Sequence, residues 1–468
     1  MKKVTRFFSE SAQPIYMIVF VLIWGIVLLA YWPGILVSDS MYQWHQVQTG
    51  TFDNWHPAYN TLYIYLLTRI CNSPAFVLFI QIIILSYCIA TFMCSLEKYY
   101  RVNKYFLLSC SVVLALIPLN FNSAVILLKD TLYSALLILL SAITIEAVNR
   151  PSFFTSSKKL FKLFLVLLLI SLFRHNGIIV TILYCFTVGI VFRKNIRRIY
   201  LIGGAATLIY LVMTTIGFSV LGISEGNYAN KYAPVSHLLA RMLNTPGVEF
   251  TDSELDLMQD YVDVTELRDS FDPYNMDYSI ATQNVNALKE SGERYLSLGL
   301  RKALQYPIIT IKHYLALDSF LYSPIPFPGS YVVGMFTETD LWEYKDIYPN
   351  LAENSKIPWL LADLKNISNW YQSFSMGIFH LEYFTMRPAI YFYISLAIIA
   401  YLAKKKQQIA LWCCLLPSAF NLVSLAPAMP VSMTRYVYST ILTGYLLIIW
   451  FMFEFYKSKH TKKLQEKV

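Results

Sequence analysis

The chain is short of charge, and it lacks the residue patterns that mark most soluble chemistry. Only 14% of its 468 residues are Asp, Glu, Lys or Arg, against about 25% in a typical water-soluble domain. That scarcity disfavours an ordinary soluble enzyme. Disorder is excluded too, because solvated chains are poor in apolar residues and this one is 56% hydrophobic and 16% aromatic. Cysteine is sparse: Cys71, Cys88, Cys94, Cys110, Cys185, Cys413 and Cys414 lie in or beside apolar runs, with no CxxC and no paired histidine spacing. They read as small core hydrophobes, not as zinc ligands or a disulfide framework. No nucleotide P-loop, GxSxG elbow or HExxH occurs, so nucleotide, serine-hydrolase and zinc-protease readings lack support.

What is present is apolar length. The mean hydropathy is +0.47. Windows of roughly 20 apolar residues mark spanning helices; they lie near 14–32, 75–96, 105–119, 131–148, 160–173, 176–192, 199–220, 385–402, 409–426 and 436–456. The expected fold class is an all-α polytopic membrane protein with about ten transmembrane helices. The first apolar run is too long for a signal peptide, and no small-residue cleavage site precedes Ser38, so it reads as an uncleaved first span.

The net charge of +9 could suggest nucleic acid, but its distribution argues against that. Basic clusters fall at the N-terminus (Lys2, Lys3, Arg6), at Lys98/Arg101/Lys104, at Arg150/Lys158/Lys159/Lys162 and at Arg193/Lys194/Arg197/Arg198. Two more fall at Lys404–Lys406 and in the tail from Lys457 to Lys467. They alternate with connections nearly devoid of Lys and Arg, which is how orientation in a membrane is set. Both termini are therefore expected in the cytoplasm. The segments 33–74, 120–130, 174–175, 221–384 and 427–435 are expected outside a plasma membrane. Three regions follow: a transmembrane module 1–220 with first outer loop 33–74, an acidic and mostly helical extracytoplasmic insert 221–384, and C-terminal helices with a tail, 385–468. Segment 58–70 is too short to span and reads as a surface helix. The run 307–322 carries Lys312, His313 and Asp318, and counting it as a span would move Lys404–Lys406 outside. It is expected at the interface or beneath the outer domain.

Ionisable residues at membrane depth are costly and are functional candidates by default. Here they share the outer side. Asp39 follows the first span in SDSMYQW, His56 lies in NWHP, and Lys129-Asp130 open the fourth window. Arg174-His175 sit in FRHNG between two windows, Arg387 opens the eighth and Arg435 the tenth. Each has an ordinary alternative: a helix-end acid, a turn before proline, a self-neutralising pair, or arginines reaching for headgroups. The alternatives explain the conjunction poorly, because three arginines stand on the side where positive charge is normally scarce. Arginine offers a planar fork for phosphate oxygens. A carboxylate among them could take the proton from an acceptor hydroxyl.

The order SDS (38–40), Gln43-Trp44-His45-Gln46, Trp55-His56-Pro57, then LKD, RHNG and a late RY resembles the GT-C superfamily of integral membrane glycosyltransferases. It is closest to a bacterial branch related to protein O-mannosyltransferases and lipid A aminoarabinose transferases. The likeness covers the first 180 residues well and the final spans loosely; the insert matches no family. It implies a polyprenyl-phosphate-linked sugar donor and an extracytoplasmic glycan, lipid or protein acceptor. By this resemblance Asp39 is the general base and His56 belongs to the catalytic HP element. Lys129, Arg174, His175, Arg387 and Arg435 are implied donor-phosphate contacts, with Asp130, Asp53 and Gln43 in support. Several relatives carry a second carboxylate where this chain has only Asp39, so a divalent cation would need further oxygens, with Asp53 or Asp130 the candidates. Two other readings stay open: an envelope-polysaccharide polymerase using lipid-diphosphate-linked oligosaccharide, and a non-enzymatic lipid-glycan flippase.

Overall fold

The computed structural model describes residues 12–150, 152–226, 229–377 and 385–465. The N-terminal cluster Lys2, Lys3 and Arg6, the end of the insert at 378–384, and Lys467 lie outside them. Among the described residues there is no strand, only isolated bridges. Eighteen α-helices there have eight residues or more. They begin with α1 (Gln13–Ala30), α2 (Ser38–Thr49), α3 (Ala58–Thr68), α4 (Pro74–Tyr100), α5 (Lys104–Leu116), α6 (Pro118–Val125), α7 (Lys129–Asn149), α8 (Ser157–Phe173), α9 (Gly177–Val191) and α10 (Ile196–Val212). The insert supplies α11 (Ala229–Leu243), α12 (Asp252–Tyr261), α13 (Val285–Gln305), α14 (Pro307–Leu317) and α15 (Pro358–Gly377). The last three are α16 (Pro388–Lys406), α17 (Leu416–Leu425) and α18 (Thr434–Gln465).

Each of the ten apolar windows is helical, but they are not equivalent. Among the described residues six helical stretches are long and apolar enough to cross a membrane: α1, α4, α7, Arg193–Leu221 around α10, Ile409–Ala428 around α17, and α18. The pair α5–α6 bends by 69° and would make a seventh if it is one span. Pro118 opens α6, and proline cannot carry the ladder of α5 onward. The helices α8 and α9, at 17 and 15 residues, are shorter than a typical crossing, while α16 ends in Lys404–Lys406.

The centre of the molecule is α7. It packs on α4, α8, α17 and α18 and is buried almost end to end, from Lys129 to Ile145. That burial explains why its sequence is apolar all round and not striped. At the other extreme, α10 shows Leu201, Leu208 and Leu211 to its surroundings, as a helix set against lipid would.

The stretch 221–384 does not pack as one unit. Tyr232, Leu239, Met258, Tyr261, Tyr295 and Leu298 form a core of their own. Phe320, Leu321, Val332, Met335, Leu341 and Tyr344 instead join the large core of the apolar helices. The run 307–322 yields an 11-residue helix, α14, with His313 and Leu317 buried and Ile308, Ile311 and Leu315 exposed. It is not among the candidate spans.

Candidate active site

Short extended segments, bridged to one another, lead into the helices that carry the site. Ile35 pairs with the chain at 125–127: its N–H donates to Val125 O (3.0 Å) and its O accepts from Leu127 N (3.0 Å). One segment of this pair runs into α2 and Asp39, the other into α7 and Lys129. A second bridge joins Val333 to the segment before α18, with Val333 N donating to Ser432 O (2.8 Å) and Thr434 N to Val333 O (3.0 Å). It sets the start of the helix that bears Arg435.

The starts of α2, α7 and α18 thereby converge. Asp39 Oδ2 accepts from Lys129 Nζ at 2.9 Å and from Arg435 Nη1 at 2.9 Å. His56 Nδ1 lies 4.0 Å from the same oxygen and 3.2 Å from Lys129 Nζ. An ammonium can only donate, so Nδ1 must accept and the ring proton sits on Nε2. Burial raises the Asp39 carboxyl, but Arg435 and then Lys129 outweigh it and hold the group well below its usual range. For His56, burial and then the Lys129 charge push the ring down to about 3. Asp39 is thus a charged carboxylate and His56 a neutral ring at neutral pH.

Behind this trio lies a second pair. Arg174 Nη1 is 3.1 Å from Asp130 Oδ1, with side chains 9% and 1% exposed, and Arg435 Nε is 3.9 Å from Asp130 Oδ2. Neither Asp130 oxygen meets hydrogen-bond geometry, so charge rather than alignment holds the pair. Tyr436, to which the sequence alone assigned no role, sits between the two arginines. Its ring lies 4.8 Å from the Arg174 guanidinium and 4.9 Å from that of Arg435, and its hydroxyl accepts from Arg435 Nη2 at 3.1 Å.

The RHNG run resolves residue by residue. Arg174 also donates to Tyr436 O (3.3 Å), His175 Nε2 is 3.3 Å from Trp55 O, and Asn176 Nδ2 donates to Ser424 Oγ (2.7 Å). A Cβ on Gly177 would come within 1.9 Å of Ile170 O, so only glycine lets α9 turn back against α8 here.

Asp39, His56, Lys129, Arg174, His175, Asp53 and Arg435 all line one cavity of about 1570 Å³. Asp53 accepts from the Tyr42 hydroxyl and from Trp55 N–H (2.8 Å). Three expected members do not line it: Asp130 lies behind the trio, and Arg387 and Gln43 are placed elsewhere. Arg387 is 1% exposed and donates to Ser323 O (3.1 Å) and Ser330 Oγ (3.3 Å), so it ties the 323–330 loop to α16 and does not line the cavity. Gln43 is buried between α2 and α3, donating to Thr61 Oγ1 (2.8 Å) and accepting from Asn60 Nδ2 (3.3 Å). Both were singled out by position along the chain, which does not reveal which way a side chain turns.

A divalent cation does not fit these groups. Among the described residues no three His, Cys, Asp or Glu gather to hold one. Asp39 and Asp130, the nearest carboxylates, each already face two basic groups.

The site belongs to a helical chain with membrane-spanning character, and comparison adds no relative to that description. No family model, no curated protein and no solved structure matches the chain.

Proposed function

We propose that the protein is a membrane glycosyltransferase of the GT-C kind, moving a sugar from a polyprenyl-phosphate donor to an extracytoplasmic envelope acceptor. The observation that carries this reading is one ionised carboxylate bridged by Lys129 and Arg435 at three converging helix N-termini. Cations at the positive end of a helix cost about 0.3–1 kcal/mol each; Asp39 offsets that cost for Lys129 and Arg435, and a donor phosphate would offset it in the same way. A helix N-terminus with basic side chains beside it can seat a phosphate.

In this reading the donor phosphate takes Lys129 and Arg435 from Asp39, and Arg174 stands behind it. An acceptor hydroxyl oxygen forms a bond to the anomeric carbon as the carbon–oxygen bond to phosphate breaks. The electron pair leaves on the polyprenyl phosphate, where the same cations stabilise it. The hydroxyl proton passes to Asp39. All polar contacts of Asp39 fall on Oδ2, which leaves Oδ1 for the proton. His56 is a positioning residue for Lys129, with Nε2–H as a further donor. The same reading takes the ten helical windows as ten crossings, with both termini cytoplasmic and the cavity opening outside.

The test is transfer by purified protein in nanodiscs, given radiolabelled polyprenyl-phosphate sugars and an envelope extract. Asp39→Asn is expected to abolish transfer at unchanged folding and membrane level; an active Asp39→Asn protein would remove the assignment. The cavity's size also suits a lipid-diphosphate-linked oligosaccharide, and elongation of that substrate with no transfer from monophosphate donors would favour the polymerase.

A further inference from the structure

The cavity lining carries both signs of charge. Lys129, Arg174 and Arg435 line it near Asp39, Asp340 and Glu343 line it beside Trp342 in the chain, and Asp53, Glu225, Asp277 and Lys289 line it as well. Pockets for a single drug-sized ligand run to about 300–1,000 Å³; this one, at about 1570 Å³, leaves room beside a bound phosphate for a second ligand.

Two indoles, Trp55 and Trp342, line the same space. Trp342 is 67% exposed although the residues flanking its short turn, Leu341 and Tyr344, are buried in the main core. Its backbone has φ +45°, a region that bulky side chains rarely adopt. The loop is not a loose tip. Trp342 N–H donates to Asp340 Oδ1 (3.0 Å), and Asp340 N–H donates to Leu36 O (2.8 Å). Thr339 Oγ1 accepts from Leu36 N (3.3 Å) and donates to Gly34 O (3.3 Å). The indole is therefore held out on a backbone fastened to the extended run that leads into Asp39.

We propose that Trp342, with Asp340 and Glu343 beside it, is a stacking subsite for an uncharged pyranose ring of the acceptor, which makes the acceptor a neutral glycan. This rests on the transferase reading and names its second substrate. A pyranose has a C–H face, which an aromatic face with its negative quadrupole attracts, and a rim of hydroxyls, which carboxylates accept in short charge-assisted bonds. An anionic polymer or lipid headgroup would be repelled by the same carboxylates. A tryptophan serving only as a membrane-interface anchor has no need of acidic neighbours facing a cavity. In this proposal the phosphate takes Lys129 and Arg435, and the polyol takes Trp342.

Saturation-transfer NMR on the full chain in nanodiscs, without donor, tests this. The probes are the methyl pyranosides of glucose, galactose, mannose, rhamnose and N-acetylglucosamine, and neutral oligosaccharides of each. At least one is expected to bind wild type and Asp39→Asn alike. Trp342→Ala should weaken it by about tenfold or more, the size of a lost stacking contact, and Trp342→Phe should restore most of the binding. If no probe binds wild type, or Trp342→Ala binds as well, the subsite is overturned. Trp342→Phe keeps the test open should Trp342→Ala fail to fold. Because binding is read without donor and in Asp39→Asn, its failure leaves the transferase reading standing, and absent transfer leaves the binding result standing.

Discussion

In the proposed reading Asp39 is the general base, and its ion pairs make a specific demand on pH. A carboxylate held well below its usual range by Arg435 and Lys129 is a weak base in the free protein. If the proposed donor phosphate neutralises those cations, it must raise the Asp39 carboxyl. The acid limb of kcat should therefore lie at higher pH than that of kcat/KM, because kcat reports the loaded site and kcat/KM the free one. Coincident limbs in a pH–rate series would count against phosphate binding at Lys129 and Arg435. The linkage has a definite sign as well. With a depressed folded value, Asp39 contributes stability that is present above its unfolded value of about 3.9 and lost as pH falls through the folded one. His56, at about 3 when folded, has an unfolded value of about 6.5. The unfolded chain thus takes up the histidine proton first, and stability declines from pH 6.5 downward. Thermal unfolding in detergent should show His56→Gln losing less melting temperature than wild type between pH 7 and 5. An inflection in kcat/KM near 6.5 that His56→Gln removes is not expected.

Among the elements, α7 and the α8–α9 turn bear the structural load. Asp130 is buried beside Arg174 and Arg435, and removing one partner of a buried pair costs about 3–5 kcal/mol. Asp130→Asn should accordingly lower the melting temperature more than Asp39→Asn, whose side chain is 19% exposed. Equal melting temperatures would move Asp130 from support to spectator. At the turn, a methyl on Gly177 meets backbone rather than a movable side chain. Gly177→Ala should destabilise the protein by at least about 1–3 kcal/mol, the usual cost of overpacking, and chemical denaturation of the two proteins would show it. The RHNG motif was legible as a candidate because its residue types are unusual at that depth. Its division of labour was not, because each of its side chains reaches a different element.

For the whole molecule, orientation is the open consequence of the charge pattern. Cys71 is exposed near the end of segment 33–74, which the proposed topology puts outside, while the other six cysteines are buried or half-buried. In intact cells Cys71 should react with a membrane-impermeant maleimide. In a Cys71→Ser background, a cysteine at Ser253 should also react, and one at Lys158 or Lys404 should not. Labelling at Lys404 with protection at Ser253 would invert the proposed topology. Helical class and the position of every apolar window were readable from the sequence, because hydrophobic run length is a local property. The ionisable residues at the ends of the apolar runs were readable too, since a charge flanking an apolar run is conspicuous wherever it points. What the sequence could not decide is which of them meet. Asp39 and Arg435 stand 396 positions apart and bond because two bridged segments aim their helices at one point, whereas Arg387, equally conspicuous, turns toward the 323–330 loop. Run length and residue type are written locally; the direction of a side chain is fixed only when the helices that carry it have packed.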